Sequence, residues 1–228
     1  MPAGLIVYND TNNLVIDGAY ANLALFAKGV TTTTTAAGDT SYVSFTIPNC
    51  PDWPLIAVRS PAGAWAAVRA FTSGNAIVDI VCKGAPGAVV EYFVFARTPN
   101  DVPAQYLEVK SETGQIVFNA ALRYLRIVGV HELLPSSNGT DGFTVDYPAG
   151  KNYAVFQDGP AASTRVVNQS PVPSQQDWWL YTFRGMLAIT GNTFKLVSAN
   201  FASQRWGPTT PPNYSVAAGA YVVDVTGY

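Results

Sequence analysis

The chain has 228 residues, a formal net charge of −2 and a pI near 5.3. Charged residues make up 12%, about half the ~25% usual for globular chains, while 48% are hydrophobic, which excludes a disordered polyelectrolyte. That charge gives no electrostatic footprint for nucleic acid or an anionic membrane, and no apolar run approaches the ~20 residues that span a bilayer.

In chain order, residues 5–8 and 14–16 read as strands around the polar turn Asn9-Asp10-Thr11-Asn12-Asn13, a hairpin. Residues 20–28 alternate loosely, and the threonine run 31–35 reads as an edge strand or a long loop. The alternating segment 42–47 stops at Pro48. Segment 55–59 follows Trp53-Pro54, and Ser60-Pro61-Ala62-Gly63 turns the chain into 64–71. Strands 77–82 and 89–96 close this half. Two prolines, Pro99 and Pro103, around a polar centre mark residues 99–104 as a linker.

The second half repeats the scheme. Strands are predicted at 106–110, 116–119 and 124–130, then a turn-rich stretch from Pro135 to Gly142, then strands at 143–147, 153–157 and 163–167. A polar, proline-punctuated loop, 168–177, leads to strands at 178–183, 186–189, 193–197 and 221–225, interrupted by an insertion at 202–213. No segment sustains a 3.6-residue apolar stripe for three turns, so helix content should be small.

The opening segment returns later. Leu5 through Asp17 lies over Leu107 through Asn119 without a gap at an offset of 102, and the offset still holds at Leu23 against Leu125. Gly74-Asn75 matches Gly191-Asn192 at an offset of 117, and Gly87-Ala88 matches Gly219-Ala220 at 132. A growing offset is expected where a second copy carries loop insertions on the same order of strands. At this period the unit is a whole domain. The predicted fold is all-β: two tandem β-sandwich domains from an internal duplication, residues 1–98 and 105–228, joined by 99–104.

Catalytic chemistry is sparse. His131 is the single histidine, and one imidazole offers neither a metal cluster nor a triad; a strand-end histidine with a local hydrogen bond is expected. Asp141, Asp146 and Asp158 are the acids from which a glycosidase pair could be drawn, but each sits beside glycine or a strand end, where aspartate serves turns. The expectation is a binding protein without enzymatic activity, metal or cofactor. Cys50 and Cys82 read as free buried thiols in a reducing cytoplasm, where the chain, with no basic segment ahead of its apolar start, is expected to be made.

Aromatic side chains are the candidates for contact. Asp177-Trp178-Trp179 leaves the long polar loop, and Arg205-Trp206 lies in the second insertion. Neighbours on a strand face opposite ways, so one of Trp178 and Trp179 is expected in the core. The other, with Trp206, would stack on a sugar ring or a protein partner, as tryptophan does at interfaces. Asn138 through Gly142 reads as a tight turn or a binding tip. Arg123 and Arg126 read as the solvent face of a strand. A surface this poor in charge also predicts cover by partners.

Met1-Pro2-Ala3-Gly4-Leu5-Ile6-Val7-Tyr8-Asn9 followed by Asn12-Asn13-Leu14-Val15-Ile16-Asp17 resembles the start of uncharacterised tail-tip and fibre-region proteins of long-tailed bacteriophages. Tyr106 through Asn119, with its turn glycine Gly114, and the continuation Arg123-Tyr124-Leu125-Arg126 resemble the same motif. About 25 residues in each copy carry the likeness. The first copy departs from it, with Asn12 at the turn and Ala21-Asn22-Leu23-Ala24 in the continuation. The resemblance implies a virion component at the distal tail, in the tail tip, baseplate or fibre region, made in the host cytoplasm. It would dock on other tail proteins, occur as a homo-oligomer (a trimer favoured by tail symmetry) and touch a glycan or protein receptor on the host, with no nucleic acid and no membrane insertion. The alternative is a free carbohydrate-binding module or adhesin.

Overall fold

The computed structural model describes residues 6–8, 14–17, 22–97, 103, 107–111, 113–134, 142–169, 177–207, 209–212 and 214–228. All regular structure among them is β. The first half holds β1 (Ile6–Tyr8), β2 (Leu14–Asp17), β3 (Leu23–Thr32), β4 (Thr35–Ala37), β5 (Thr40–Ile47), β6 (Leu55–Arg59), β7 (Ala64–Thr72), β8 (Asn75–Lys83) and β9 (Val89–Arg97). The second holds β10 (Glu108–Lys110), β11 (Ile116–Asn119), β12 (Ile127–Leu133), β13 (Thr144–Asp146), β14 (Tyr153–Gln157), β15 (Ala162–Asn168), β16 (Trp178–Thr190), β17 (Thr193–Gly207), β18 (Ser215–Val216) and β19 (Ala218–Asp224).

Two sheets contain nearly all of these strands. The six-stranded sheet runs β12-β19-β14-β6-β9-β3, and the main path of the nine-stranded sheet runs β13-β17-β16-β7-β8-β5-β4, with β15 on β16 and β18 on β15. Each sheet takes strands from both halves of the chain. They meet at β6–β14, paired at Val58 and Val155, and at β7–β16, paired at Ala64 and Leu187. About this seam the strand orders mirror each other: β3-β9-β6 against β12-β19-β14, and β5-β8-β7 against β13-β17-β16. Hairpins β1–β2 and β10–β11 share one register and one bulge position, 102 residues apart. The turn matches at Gly74 and Gly191 fall in the β7–β8 and β16–β17 hairpins, and those at Gly87 and Gly219 lead into or open β9 and β19.

Successive side chains point to opposite faces, and many of these strands are apolar on both because both faces are covered. On β9, Val90, Val94 and Ala96 enter a first-half core with Val58, Val78 and Ile80, while Phe93 and Phe95 point the other way. The second-half core holds Tyr153, Leu187, Phe194, Leu196 and Val222. Both of these lie between the sheets. On the outer face of the six-stranded sheet, Ala57, Phe93 and Phe95 pack with Ala154, Val223 and Val225. On the outer face of the nine-stranded sheet, Val81 packs with Met186, Ala188, Val197 and Ala199.

Outer faces stay buried because the sheets curl. The Arg123 carbonyl accepts from the Leu25 amide at 2.7 Å, and the Arg126 carbonyl accepts from the Asp224 amide at 2.9 Å. In a flat sheet residue 126, in line with β12, and residue 123, on the side of β3 away from β9, would stand six spacings apart, about 29 Å, whereas three residues reach at most about 11 Å. The sheet must therefore bend round its outer core. In the nine-stranded sheet the Asp39 amide donates to the Asn200 carbonyl at 3.0 Å, joining the start of β5 to β17, four spacings away. Gly63, at φ +85°, lies where an added Cβ would overlap Cγ2 of Val197. Only glycine suits both that conformation and that approach.

Several expectations are adjusted. The threonine run divides, with Thr31 and Thr32 in β3 and Thr35 in β4. Tyr124 makes an isolated bridge to Ala24, and β12 begins later, at Ile127. Residues 202–207, read as part of an insertion loop, are strand, because β16 continues opposite them and supplies their main-chain partners. Apart from Pro103 and Gly142, the linker 99–104 and the turn 135–142 lie outside the described residues. Cys50 and Cys82 are buried free thiols, and burial pushes the Cys82 thiol up to about 11.

Because both sheets and both outer cores cross the seam, urea unfolding followed by circular dichroism should be a single transition. Ile80→Ala and Leu187→Ala, one in each half and each nearly inaccessible, should each cost about 2–5 kcal/mol and move that one transition. Two phases, with Ile80→Ala shifting only one, would show halves that unfold independently.

Candidate binding surface

Hairpin β16–β17 is long enough to leave the sandwich. Its ladder runs from Thr190 and Thr193 at the turn to Trp178 and Gly207 at the far end, with shifts that leave Phe201 and Trp206 as extra, bulged residues. β15 pairs with the outer half of β16 from Arg184 to Trp178, and β18 pairs with β15. Neither has a counterpart among the described residues of the first half. Together they form a small antiparallel arm whose side chains are mostly half-buried or exposed.

The five residues singled out from the sequence meet at the tip of this arm. Trp178 lies opposite Gly207, and Trp179 lies opposite Arg205 and Val167. Arg205 Nε donates to Asp177 Oδ1 at 2.7 Å. Asp177 is fixed further: its amide donates to Asn168 Oδ1 at 3.1 Å, and its carbonyl accepts from the Gln169 amide at 2.9 Å. Gln169 Nε2 also donates to the Tyr181 hydroxyl. These bonds close the base of the loop between β15 and β16. Trp206, on its bulge, is 42% exposed. Trp178 and Trp179 are both half-buried and neither joins a core cluster, contrary to the expectation that one would be internal. The tip lies beyond the reach of the cores, so alternation there separates two partly wet faces.

This tip can stack and hydrogen-bond. Of the acids and the histidine considered for catalysis, Asp146, Asp158 and His131 each make a hydrogen bond. Asp146 Oδ1 accepts from Thr193 Oγ1 at 2.6 Å, Asp158 Oδ1 accepts from the Gly219 amide at 2.7 Å, and Asp141 lies outside the described residues. His131 sits inside β12 and not at a strand end, and its hydrogen-bonding partner is not local: Nε2 lies 2.8 Å from the hydroxyl of Tyr147, 16 residues along the chain. Among the described residues no three His, Cys, Asp or Glu side chains converge as a metal site requires.

A second feature was not legible in the sequence. Arg123 and Arg126, read as the solvent face of one strand, both approach the Tyr228 ring, at 6.0 and 5.4 Å from its centre. They line a groove of about 1210 Å³ with Phe118, Tyr124, Lys151 and Asp224. Phe118 and Tyr124 stack at 4.8 Å on one wall. Asp224 is 3.6 Å from Arg126 and 3.3 Å from Lys151, and its carboxylate accepts from the Thr226 amide at 2.9 Å. Burial opposes its ionisation, but the Thr226 hydrogen bonds and the two cations outweigh burial and hold its carboxyl below the usual range.

Comparison with known proteins finds no matching family model, no matching curated protein and no matching solved structure.

The Arg205–Asp177 pair is largely exposed, with Arg205 at 67%, so Arg205→Ala should cost less than about 1 kcal/mol in chemical denaturation. A larger loss would make the pair a structural clamp for the arm. Asp224 acts the other way with pH. A depressed folded-state pKa contributes stability above the ordinary carboxylate range and loses it as the pH falls through the folded value. Asp224→Asn should therefore be less stable than the parent at neutral pH, and the gap between their melting temperatures should close in acid. A gap independent of pH would refute the ionic origin.

Proposed function

We propose that this protein is a non-catalytic structural and binding component of a bacteriophage virion at the distal tail, in the tail tip, baseplate or fibre region. There it docks on other tail proteins, in several copies set by tail symmetry with three favoured, and presents its arm to the host surface. The observation that carries the reading is the arm itself: a sheet extension found, among the described residues, in one half only, ending in Trp178, Trp179 and Trp206 beside a fixed Arg205–Asp177 pair. A rigid scaffold with such a tip binds without chemistry. The tail assignment comes from the resemblance of the two hairpins. The two hairpins that carry it share one register and one bulge position, and Gly114 takes φ +81° in the turn of the second.

The test is a cryo-EM map of the particle assembled by the neighbouring genes, together with a deletion of this one. Density at the tail end with Trp206 facing outward, and poor adsorption by the deleted phage, are the expected results. Fully infectious particles lacking the chain would end the proposal. The exposure of Trp206 also favours a second reading, a free glycan-binding module. That reading requires the isolated protein to bind a glycan array and Trp206→Ala to lose the signal.

A further inference from the structure

We propose that the free edge of β12, with the groove beside it, receives an extended acidic segment of a partner protein as an added strand. The inference deepens the docking role above and rests on that reading for the partner's identity, but not for the binding itself.

Strand β12 ends the six-stranded sheet, and among the described residues no strand lies on its other side. An open edge offers a row of unpaired amides and carbonyls, which proteins usually blunt with lysine, proline or cover. Strand β3, the opposite edge, is treated that way. Residues 123–125 hydrogen-bond to it at Leu23 and Leu25, and further along it carries Lys28, Thr31 and Thr32. β12 reads Ile-Val-Gly-Val-His-Glu-Leu, with Ile127 at 47%, Val128 at 45% and Val130 at 61% exposure. Beyond the irregularity at Val128, its ladder to β19 is regular from Gly129 to Leu133, a straight template for another strand.

The neighbouring charges decide the chemistry of the occupant. Arg123, Arg126 and Lys151 line the groove, Asp224 is the one acid lining it, and Glu132, exposed near the other end of β12, lies outside it, so the cations remain in excess. Asp224 is 5% exposed and already held between Arg126 and Lys151. Arg123 faces the Tyr228 ring and has no carboxylate partner among the described residues. On a chain of net charge −2 this is a local excess of positive charge, complementary to carboxylates. At about 1210 Å³ the groove exceeds the ~300–1,000 Å³ usual for small-molecule pockets, and it runs beside the edge it would serve. Strand addition supplies main-chain hydrogen bonds, while side-chain sites along the groove select the sequence.

The test uses the full chain and three capped peptides in fluorescence anisotropy: one alternating valine and glutamate, one alternating valine and lysine, and the first again with its valine amides N-methylated. The glutamate peptide should bind, weakening as salt rises, and the lysine and N-methylated peptides should bind roughly tenfold more weakly or worse. Arg123→Glu, which breaks no ion pair seen here, should lose the glutamate peptide to a similar degree. Equal binding of the N-methylated peptide would overturn strand addition. Equal binding of the lysine peptide, an unaffected Arg123→Glu, or no binding of the glutamate peptide would also overturn the proposal. None of these outcomes depends on where the protein sits in a particle, so failure here and failure of the tail assignment are separable.

Discussion

Everything in this fold depends on the seam where β6 meets β14 and β7 meets β16. Each contact is a single ladder pair, Val58 with Val155 and Ala64 with Leu187. Hydrogen bonding this brief, at a net ~0.5–1.5 kcal/mol per bond, cannot by itself hold two halves in register. Apolar burial dominates instead. All four seam residues are almost inaccessible, and Phe95, Ala57 and Ala154 add a shared core on the outer face of one sheet. A fully buried valine, leucine or phenylalanine contributes about 1.5–3 kcal/mol, so a handful of them outweighs the missing ladder.

The seam also accounts for the curl. Joining two short sheets edge to edge at β6–β14 and β7–β16 widens each, and the strand twist accumulates across the added strands, so the wide sheet wraps a core on its concave side. Residues 123–126 bridge β3 and β19, and the turn before β5 reaches β17. The outer aromatic residues Phe93 and Phe95, which would be adhesive on a flat sheet, become internal. Among the described residues the terminal strands of the nine-stranded sheet, β13, β4 and β18, are two or three residues long, whereas β12 is an uncovered edge of seven.

Strand positions were legible in the sequence to different degrees. β6, β11 and β14 begin and end where alternation and flanking turns place them. The sequence pattern divides β16 into two strands because Arg184-Gly185 interrupts its apolar residues, and gives the end of β17 the look of a loop because Ser203-Gln204-Arg205 is polar. In the structure the ladder passes through both. Backbone hydrogen bonding needs a partner strand, not a hydrophobic side chain, and the partner is invisible to a local pattern. At the binding surface, Trp178, Trp179, Trp206, Asp177 and Arg205 were identified as residue types; that they share one tip follows from the bulge at Trp206 and the ladder opposite it.

The sequence by itself determined the all-β class, most of the strands and the internal echo, because each is written in local periodicity, turn chemistry and direct similarity. Tertiary structure alone decided that strands from both halves share both sheets. It also decided that Arg123 and Arg126 face a common groove with Asp224, and that β12 ends its sheet with no further strand beside it among the described residues. The physical reason is the range of the interactions. Alternation and turns act over a few residues, whereas strand neighbours, curl and groove are set by burial between segments about a hundred residues apart, which no local pattern encodes.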